Sequence, residues 1–257
     1  MNDSMKGKVA LVTGARRGIG KAAALRLAAR GASVFLTADV GEDELARAAE
    51  DCARAAARAG GRAEWAVVDL AQAGGPARLV QAAVAALGRL DVLINNAAVR
   101  IRKPFGEFTE ADVDLLLGVN VRAPLLASQA ALPAMRAQGG GRIVHVASQL
   151  ALIAERNYAL YSLAKAALVS LTRSMALELA GDGIQVNAVS PGPTRTEEIE
   201  ARIAVEPDYL ARKTSHTPIG RLMAVGEIAD AIDFLACAAP PSLTGHNLVV
   251  DGGYTIV

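Results

Sequence analysis

The chain has 257 residues, 52% of them hydrophobic, with 27 basic and 26 acidic side chains for a net charge of +1. That length and apolar content suit one large α/β domain with a substantial core, and the balanced charge gives no electrostatic reason to expect a nucleic acid or an anionic membrane as partner. Two cysteines, Cys52 and Cys237, each set among alanines in a helical pattern, are too few for a disulfide-stapled secreted scaffold and read as buried thiols.

Residues 1–8 read as a polar, flexible leader without the apolar core of a signal peptide, and no uninterrupted apolar run reaches membrane-spanning length, so a soluble cytoplasmic protein is expected. From there strand-like runs alternate with helical patterns, the signature of βαβ units and a parallel sheet covered on both faces. The strands are expected at Val9–Thr13, Ser33–Thr37, Ala63–Val68, Val92–Asn95, Arg142–Ala147, Gln185–Val189 and Asn247–Val250, which predicts a doubly wound, seven-stranded α/β domain over residues 1–257.

The first helix carries Ile19, Ala23 and Leu27 on one face and Arg26 and Arg30 on another, and ends before Gly31. The second carries Leu45, Ala49, Cys52, Ala56 and Ala59 and stops at Gly60-Gly61. A third is expected from about Pro76 to Leu87, with Gly88 as terminator. Thr109 and Asp112 have the spacing of a capping pair. Pro124 and Pro133 predict a break or kink in the long pattern between Ala111 and Gln138. Residues 191–218, with four prolines and the charged stretch Glu197 to Arg202, read as a short mobile helix and loops, a lid.

The first strand runs straight into Thr13-Gly14-Ala15-Arg16-Arg17-Gly18-Ile19-Gly20 and then into a helix. A glycine-rich turn in that setting points backbone N–H groups at an anion, where the helix dipole adds about half a positive charge, and so offers a seat for a dinucleotide pyrophosphate. Downstream, Tyr161 and Lys165 lie four apart, on one face of a helix, with the ammonium near the phenolic oxygen. A free tyrosine titrates near about 10, and a neighbouring cation lowers that towards a value useful for taking a proton from an alcohol or returning it to a carbonyl oxygen. Tyr158 has Ser162 rather than a lysine four residues on, and reads as a pocket wall.

Taken together, these features resemble the short-chain dehydrogenase/reductase family over nearly the whole chain. The matching residues are the Thr-Gly-x-x-x-Gly-x-Gly turn, Asp69, Asn95-Asn96-Ala97-Ala98, Asn120, Ser148, Tyr161-Ser162-Leu163-Ala164-Lys165, Pro191-Gly192 and Asp251-Gly252-Gly253. The resemblance implies a Rossmann-like fold and a nicotinamide cofactor, with Gly14, Arg17, Gly18, Ile19 and Gly20 at the pyrophosphate turn. It puts Asp69, with Leu70 beside it, at the adenine, and the backbone near Asn96 and Ala97 at the adenosine ribose. Pro191, Gly192, Thr194 and Thr196 fall at the nicotinamide end, where Tyr161 and Lys165 also meet the cofactor. Ser148 is implied to hydrogen-bond the substrate oxygen, and Asn120 to hold a water linking Lys165 to solvent. The family's usual Asn-Asn-Ala-Gly has Ala98 in its last place here, which predicts a small local shift.

A 2′-phosphate needs a cation, and a free 2′-hydroxyl is well bound by a carboxylate. Arg17 resembles the basic residue of NADP-using members. Asp39 argues for NAD, although it stands one position past the family's usual ribose-binding aspartate, and it is placed to repel a phosphate or pair with Arg17. The balance favours NAD(H). No metal site is suggested, because His145, His216 and His246 are scattered, and His145 reads as a packed sheet residue. A Gly-x-Ser-x-Gly elbow is missing around Ser148, against a serine hydrolase.

The expected function is hydride transfer between a nicotinamide cofactor and an alcohol or ketone, with a sugar or polyol dehydrogenase favoured over a 3-oxoacyl thioester reductase or a small-ketone reductase. A non-catalytic dinucleotide sensor and a lyase or epimerase using bound nicotinamide are the remaining readings. Arg100, Arg102, Lys103, Gln149 and Arg156 are candidates to recognise a carboxylate, phosphate or polyhydroxylated substrate. The family commonly forms homotetramers, and the apolar end Tyr254 to Val257 is compatible with burial between subunits.

Overall fold

The computed structural model describes residues 5–257. In chain order it forms β1 (Val9–Thr13), α1 (Gly18–Ala29), β2 (Ser33–Ala38), α2 (Glu42–Ala56), β3 (Ala63–Val67), α3 (Gly75–Leu87), β4 (Val92–Asn95), α4 (Glu110–Leu117), α5 (Ala123–Ala137) and β5 (Gly141–Val146). It continues with α6 (Ala159–Leu179), β6 (Ile184–Pro191), β7 (Thr194–Arg195), α7 (Glu197–Val205), α8 (Asp208–Ser215), β8 (Met223–Ala224), α9 (Val225–Asp233) and β9 (Asn247–Val250).

β1 shows why the sheet must be covered twice. Ala10 and Val12 point into one apolar core, Val9 and Leu11 into another, and all four are buried. Successive side chains of a strand alternate between faces, so an unbroken apolar run is stable only with helices on both sides. The sheet runs β3-β2-β1-β4-β5-β6-β9 with every pairing parallel. Its order reverses direction between β1 and β4, which opens a crevice beyond the carboxyl ends of those strands.

The expected strands are all present, three with the expected ends and the others moved by one or two residues; β6 runs on to Pro191. α3 starts at Gly75 and is closed by Gly88 in the left-handed conformation. Thr109 and Asp112 form a reciprocal capping box at the start of α4. The expected break between Ala111 and Gln138 is a single π turn, Gly118–Arg122, immediately before Pro124, whereas Pro133 sits inside α5 without ending it. Pro124 occupies the first turn of α5, where an absent N–H costs little. The run Glu110–Ala137 is long and apolar enough by length and composition to cross a membrane, and in this fold α5 packs on α3 and α4 on α6. The leader is less free than its polarity implies: Met5 is buried and its N–H donates to the Arg30 carbonyl at 3.1 Å, while residues 1–4 lie outside the described residues. The short parallel pair β7 and β8, which frames α7 and α8, carries too few residues to leave a period in the sequence.

Asp91 ties the crevice strands together at their other end. Its carboxylate accepts the Val9 N–H at 2.9 Å and is held by Arg89 at 2.7 Å and Lys8 at 3.0 Å. Burial alone would raise its pKa, but Arg89, the Val9 N–H and Lys8 outweigh that and hold the carboxyl below the usual carboxylate range. Its contribution is therefore complete above the ordinary carboxylate pKa and is lost as pH falls through the lowered one. Asp91→Ala, which strands a buried N–H and two cations, is expected to cost about 2–3 kcal/mol and to lower the Tm by roughly 5–10 °C in thermal unfolding at neutral pH; an unchanged Tm would contradict this role.

Candidate active site

The crevice is held open by a knot between the two strands that flank it. The Thr13 hydroxyl, at the end of β1, accepts the N–H groups of Asn96 and Ala97 at 2.9 Å each and donates to the Ile94 carbonyl at 3.3 Å. The Asn96 amide donates to the carbonyls of Thr13 at 2.8 Å and Gly14 at 3.0 Å, so the segment after β4 fixes the glycine turn after β1. Contact this close admits no side chain. A Cβ on Gly20 would lie 2.3 Å from the Gly14 carbonyl oxygen, and one on Gly14 would lie 2.9 Å from the Ala97 Cα. Gly18 has φ +56°, a left-handed conformation that glycine adopts freely, and a Cβ there would sit in ordinary contact with Glu197 at 3.6 Å and Thr196 at 3.7 Å. Ala98 sits at the crevice without a left-handed backbone; among the described non-glycine residues only Asn157 has positive φ. The extra methyl is therefore accommodated without backbone strain.

From this turn a cleft of about 540 Å³ runs to the carboxyl ends of β5 and β6. Arg17, Ile19, Asp39, Asp69, Leu70 and Ala97 line its first half, and Ser148, Tyr161, Lys165, Pro191, Gly192, Thr194 and Thr196 its second. A Cβ on Gly192 would meet the Asp251 Cα at 2.6 Å, which keeps the floor after β6 close to the segment after β9. The turn, its N–H groups at the start of α1, and a cleft continuing to the phenol fit a nicotinamide dinucleotide.

The far end of the cleft is built on α6. Tyr161 is 6% and Lys165 2% exposed. Lys165 Nζ donates to the Val146 carbonyl at 2.7 Å and lies 5.6 Å from the Tyr161 ring centre. Burial alone would raise the phenol's pKa, but Lys165, and then Arg100, lower it below the ordinary phenol value. Burial lowers the Lys165 pKa in turn, partly offset by Tyr161. Ser148 follows β5 and accepts the Leu150 N–H at 3.1 Å. Tyr158 packs edge-on to Tyr161 at 6.3 Å and its hydroxyl accepts from Arg202 at 2.9 Å, so it forms wall, as its sequence position implies. His145 is fully buried in β5 against Asn95 at 3.2 Å, its pKa pushed down to about 3 by burial and then by Lys165; it is a neutral sheet residue.

Asn120 stands apart. It is fully buried but does not line the cleft; its amide accepts from the Val99 N–H at 2.8 Å and donates to the Val99 carbonyl at 2.9 Å. The side chain thus clamps the loop after β4 at the residue before Arg100. The basic loop candidates separate sharply. Lys103 pairs with the capping Asp112 at 2.6 Å, Arg102 leans on the Tyr158 ring at 5.9 Å, and Arg156 is exposed away from the cleft. Arg100 alone among them lines the cleft, with its guanidinium carbon 5.4 Å from the Tyr161 ring centre. Gln149 also lines it, buried, with Oε1 lacking a donor.

Sequence reasoning expected a lid over residues 191–218 but named none of the side chains it turns to the cleft. Ile199 and Tyr209, from α7 and α8, pack with Leu222 and face the cleft. Polar contacts join this segment to the body: Arg100 to Glu198 at 3.0 Å, Arg102 to Glu206 at 3.6 Å, Arg202 to Tyr158, and Lys213 to Glu155 at 2.6 Å. The charged stretch Glu197 to Arg202 signalled a short helix there, but no apolar period marked Ile199 and Tyr209 as facing the cleft.

A cleft of this shape, ending in a serine, a buried phenol and a buried ammonium, defines a nicotinamide-dinucleotide-dependent oxidoreductase. A family model described as enoyl-(acyl carrier protein) reductase matches residues 14–255. The chain is 40% identical to cis-4-hydroxycyclohexanecarboxylate dehydrogenase of Sinomonas cyclohexanicum over the whole of both chains. It is 36% identical to gluconate 5-dehydrogenase of Gluconobacter oxydans, covering 98% of this chain and 96% of that one. Among solved structures, a 3-oxoacyl (acyl-carrier-protein) reductase of Agrobacterium tumefaciens with NADP bound superposes with a TM-score of 0.90 at 31% identity, covering 98% of this chain and 96% of that one. The chain belongs to the short-chain dehydrogenase/reductase family.

Gly20→Ala forces a methyl into the Gly14 carbonyl, and is expected to weaken binding of NADH and NADPH by about tenfold or more in a nicotinamide fluorescence titration. Unchanged affinity for both would show that the turn does not need this close approach.

Proposed function

We propose that this protein is a dehydrogenase interconverting a secondary alcohol and a ketone on a polyhydroxylated, sugar-like substrate. The observation that carries the reading is the buried Tyr161 and Lys165 pair at the end of a cleft that begins at the glycine turn. When bound, the nicotinamide accepts the hydride from the alcohol carbon or returns it to the carbonyl carbon. Ser148 Oγ holds the substrate oxygen, and the Tyr161 phenolate takes the alcohol proton as the hydride leaves. Lys165 keeps the phenol acidic by its charge, while the Asn120 side chain, expected to hold a water beside it, is instead committed to Val99. The names of the gluconate and hydroxycyclohexanecarboxylate dehydrogenases support a polyol or ring alcohol over a thioester. The segment 191–218 acts as a lid, supported by α7 and α8 roofing the cleft through a few polar contacts.

The cofactor is NADP(H). Sequence alone favours NAD(H) through Asp39, but Asp39 and Arg17 are both exposed at the adenosine end and, among the described residues, form no ion pair with each other. Arg17 is thus available to a 2′-phosphate, whereas Arg16 beside it is paired with Glu44 at 2.6 Å, and the related structure with NADP bound points the same way. A homo-oligomer is supported by apolar side chains exposed on α4, α5 and α6, namely Leu115, Leu125, Leu163 and Leu177.

Side-by-side titration with NADPH and NADH is expected to favour NADPH, and Arg17→Ala to weaken NADPH by about tenfold with little change for NADH; a clear preference for NADH that Arg17→Ala leaves untouched would overturn the cofactor assignment. Alcohol oxidation is expected to rise with pH through a limb below about 10, the ordinary phenol value, because the phenolate is the active form. Lys165→Met removes the cation and moves that limb upward, while Tyr161→Phe abolishes turnover and retains cofactor binding. Turnover persisting in Tyr161→Phe would contradict the proposed chemistry.

A further inference from the structure

We infer that the substrate carries a carboxylate within a few bonds of the reacting carbon, and that Arg100 binds it. This rests on the dehydrogenase reading and narrows its substrate to a hydroxycarboxylate or the matching oxocarboxylate.

Four observations converge. Arg100 lines the reacting end of the cleft and reaches over the Tyr161 ring, so a group it holds lies beside the reacting carbon. Its position is built rather than incidental: the fully buried Asn120 clamps both backbone groups of Val99, the residue before it. The other lysine facing this end, Lys213, is committed to Glu155, both of whose oxygens lie 2.6 Å from its Nζ. Arg100 instead holds Glu198, on the first turn of α7, whose side chain is 58% exposed.

A solvent-facing pair of this kind holds its partners weakly, so an incoming carboxylate displaces the exposed Glu198 readily and gains a charge-assisted, two-pronged partner of matching geometry. Glu198 thus marks the place, and the chemistry, of the substrate group. A neutral substrate leaves Arg100 where it is and gains nothing from it. Beyond the guanidinium the wall is Leu150, Ile199 and Tyr209, suited to a carbon skeleton, and the Gln149 Oε1 lacks a donor that a further hydroxyl supplies.

The test pairs each hydroxycarboxylate with its primary amide: gluconate with gluconamide, lactate with lactamide, and hydroxycyclohexanecarboxylate with its amide. Wild-type protein with saturating cofactor is expected to favour the carboxylate by about tenfold or more in kcat/KM for at least one pair, with the difference in KM. Arg100→Gln brings that ratio close to one, because any effect of Arg100 on the Tyr161 phenol acts on both members and cancels. Arg100→Lys restores part of the ratio. Glu198→Gln, which removes the competing carboxylate, keeps or increases it. Binding of cyclohexanecarboxylate and of its amide, followed by saturation-transfer NMR on the cofactor-loaded protein, gives a readout independent of turnover; the carboxylate signal is lost in Arg100→Gln. Neutral polyols or amides turned over as well as the acids, or a ratio that survives Arg100→Gln, overturns the inference and leaves the dehydrogenase reading standing. Absence of any alcohol oxidation or ketone reduction with either cofactor overturns both.

Discussion

The burial of one phenol against one ammonium is the constraint from which the rest of this structure follows. Neither group tolerates an apolar interior alone: burial raises the phenol's pKa and lowers the amine's. Together they stabilise each other's charged forms. Lys165 is anchored to the carbonyl of Val146, the last residue of β5, which fixes α6 against the sheet in both position and rotation. The fold's contribution is to bring that pair to the carboxyl edge of the sheet, in the same cleft as Ser148.

A second arrangement decides what the pair meets. Thr13 and Asn96 join the end of β1 to the exit of β4 across the point where strand order reverses, and so turn a generic parallel-sheet crevice into a seat with fixed backbone N–H groups. Asn120 does the same work one layer further out, holding Val99 and with it the direction of Arg100. The segment between Asn95 and Arg100 therefore passes through two clamps, one for the cofactor end and one for the reacting end. Its neighbour, the glycine turn, has no space left for a side chain at Gly14 or Gly20.

Much of this was legible in the sequence because it rests on local patterns. Seven apolar strands, helix ends at Gly60 and Gly88, the Thr109 and Asp112 capping box and the four-residue spacing of Tyr161 and Lys165 each follow from period or backbone chemistry. What was not legible depends on contacts between residues far apart in the chain. The π turn before Pro124 reflects Asn120 reaching back to Val99, and proline alone places the break only loosely. Arg100, Arg102, Lys103 and Arg156 look alike in a sequence, and only their three-dimensional partners separate the one that enters the cleft from those tied to Asp112, resting on Tyr158 or turned to solvent. The segment 191–218 read as a lid, but that Ile199 and Tyr209 are the side chains it turns to the cleft depends on their packing with the distant Leu222.

The central claim concerns the electrostatics of Tyr161, and the protein contains only four tyrosines, which makes the claim directly visible. The decisive measurement is a spectrophotometric titration of tyrosinate absorbance in the wild-type protein and in Tyr161→Phe. The account predicts one phenol ionising below the ordinary tyrosine range in the wild type, with that step missing from the variant. Ionisation of every phenol in or above the ordinary range, with identical curves for the two proteins, would contradict it.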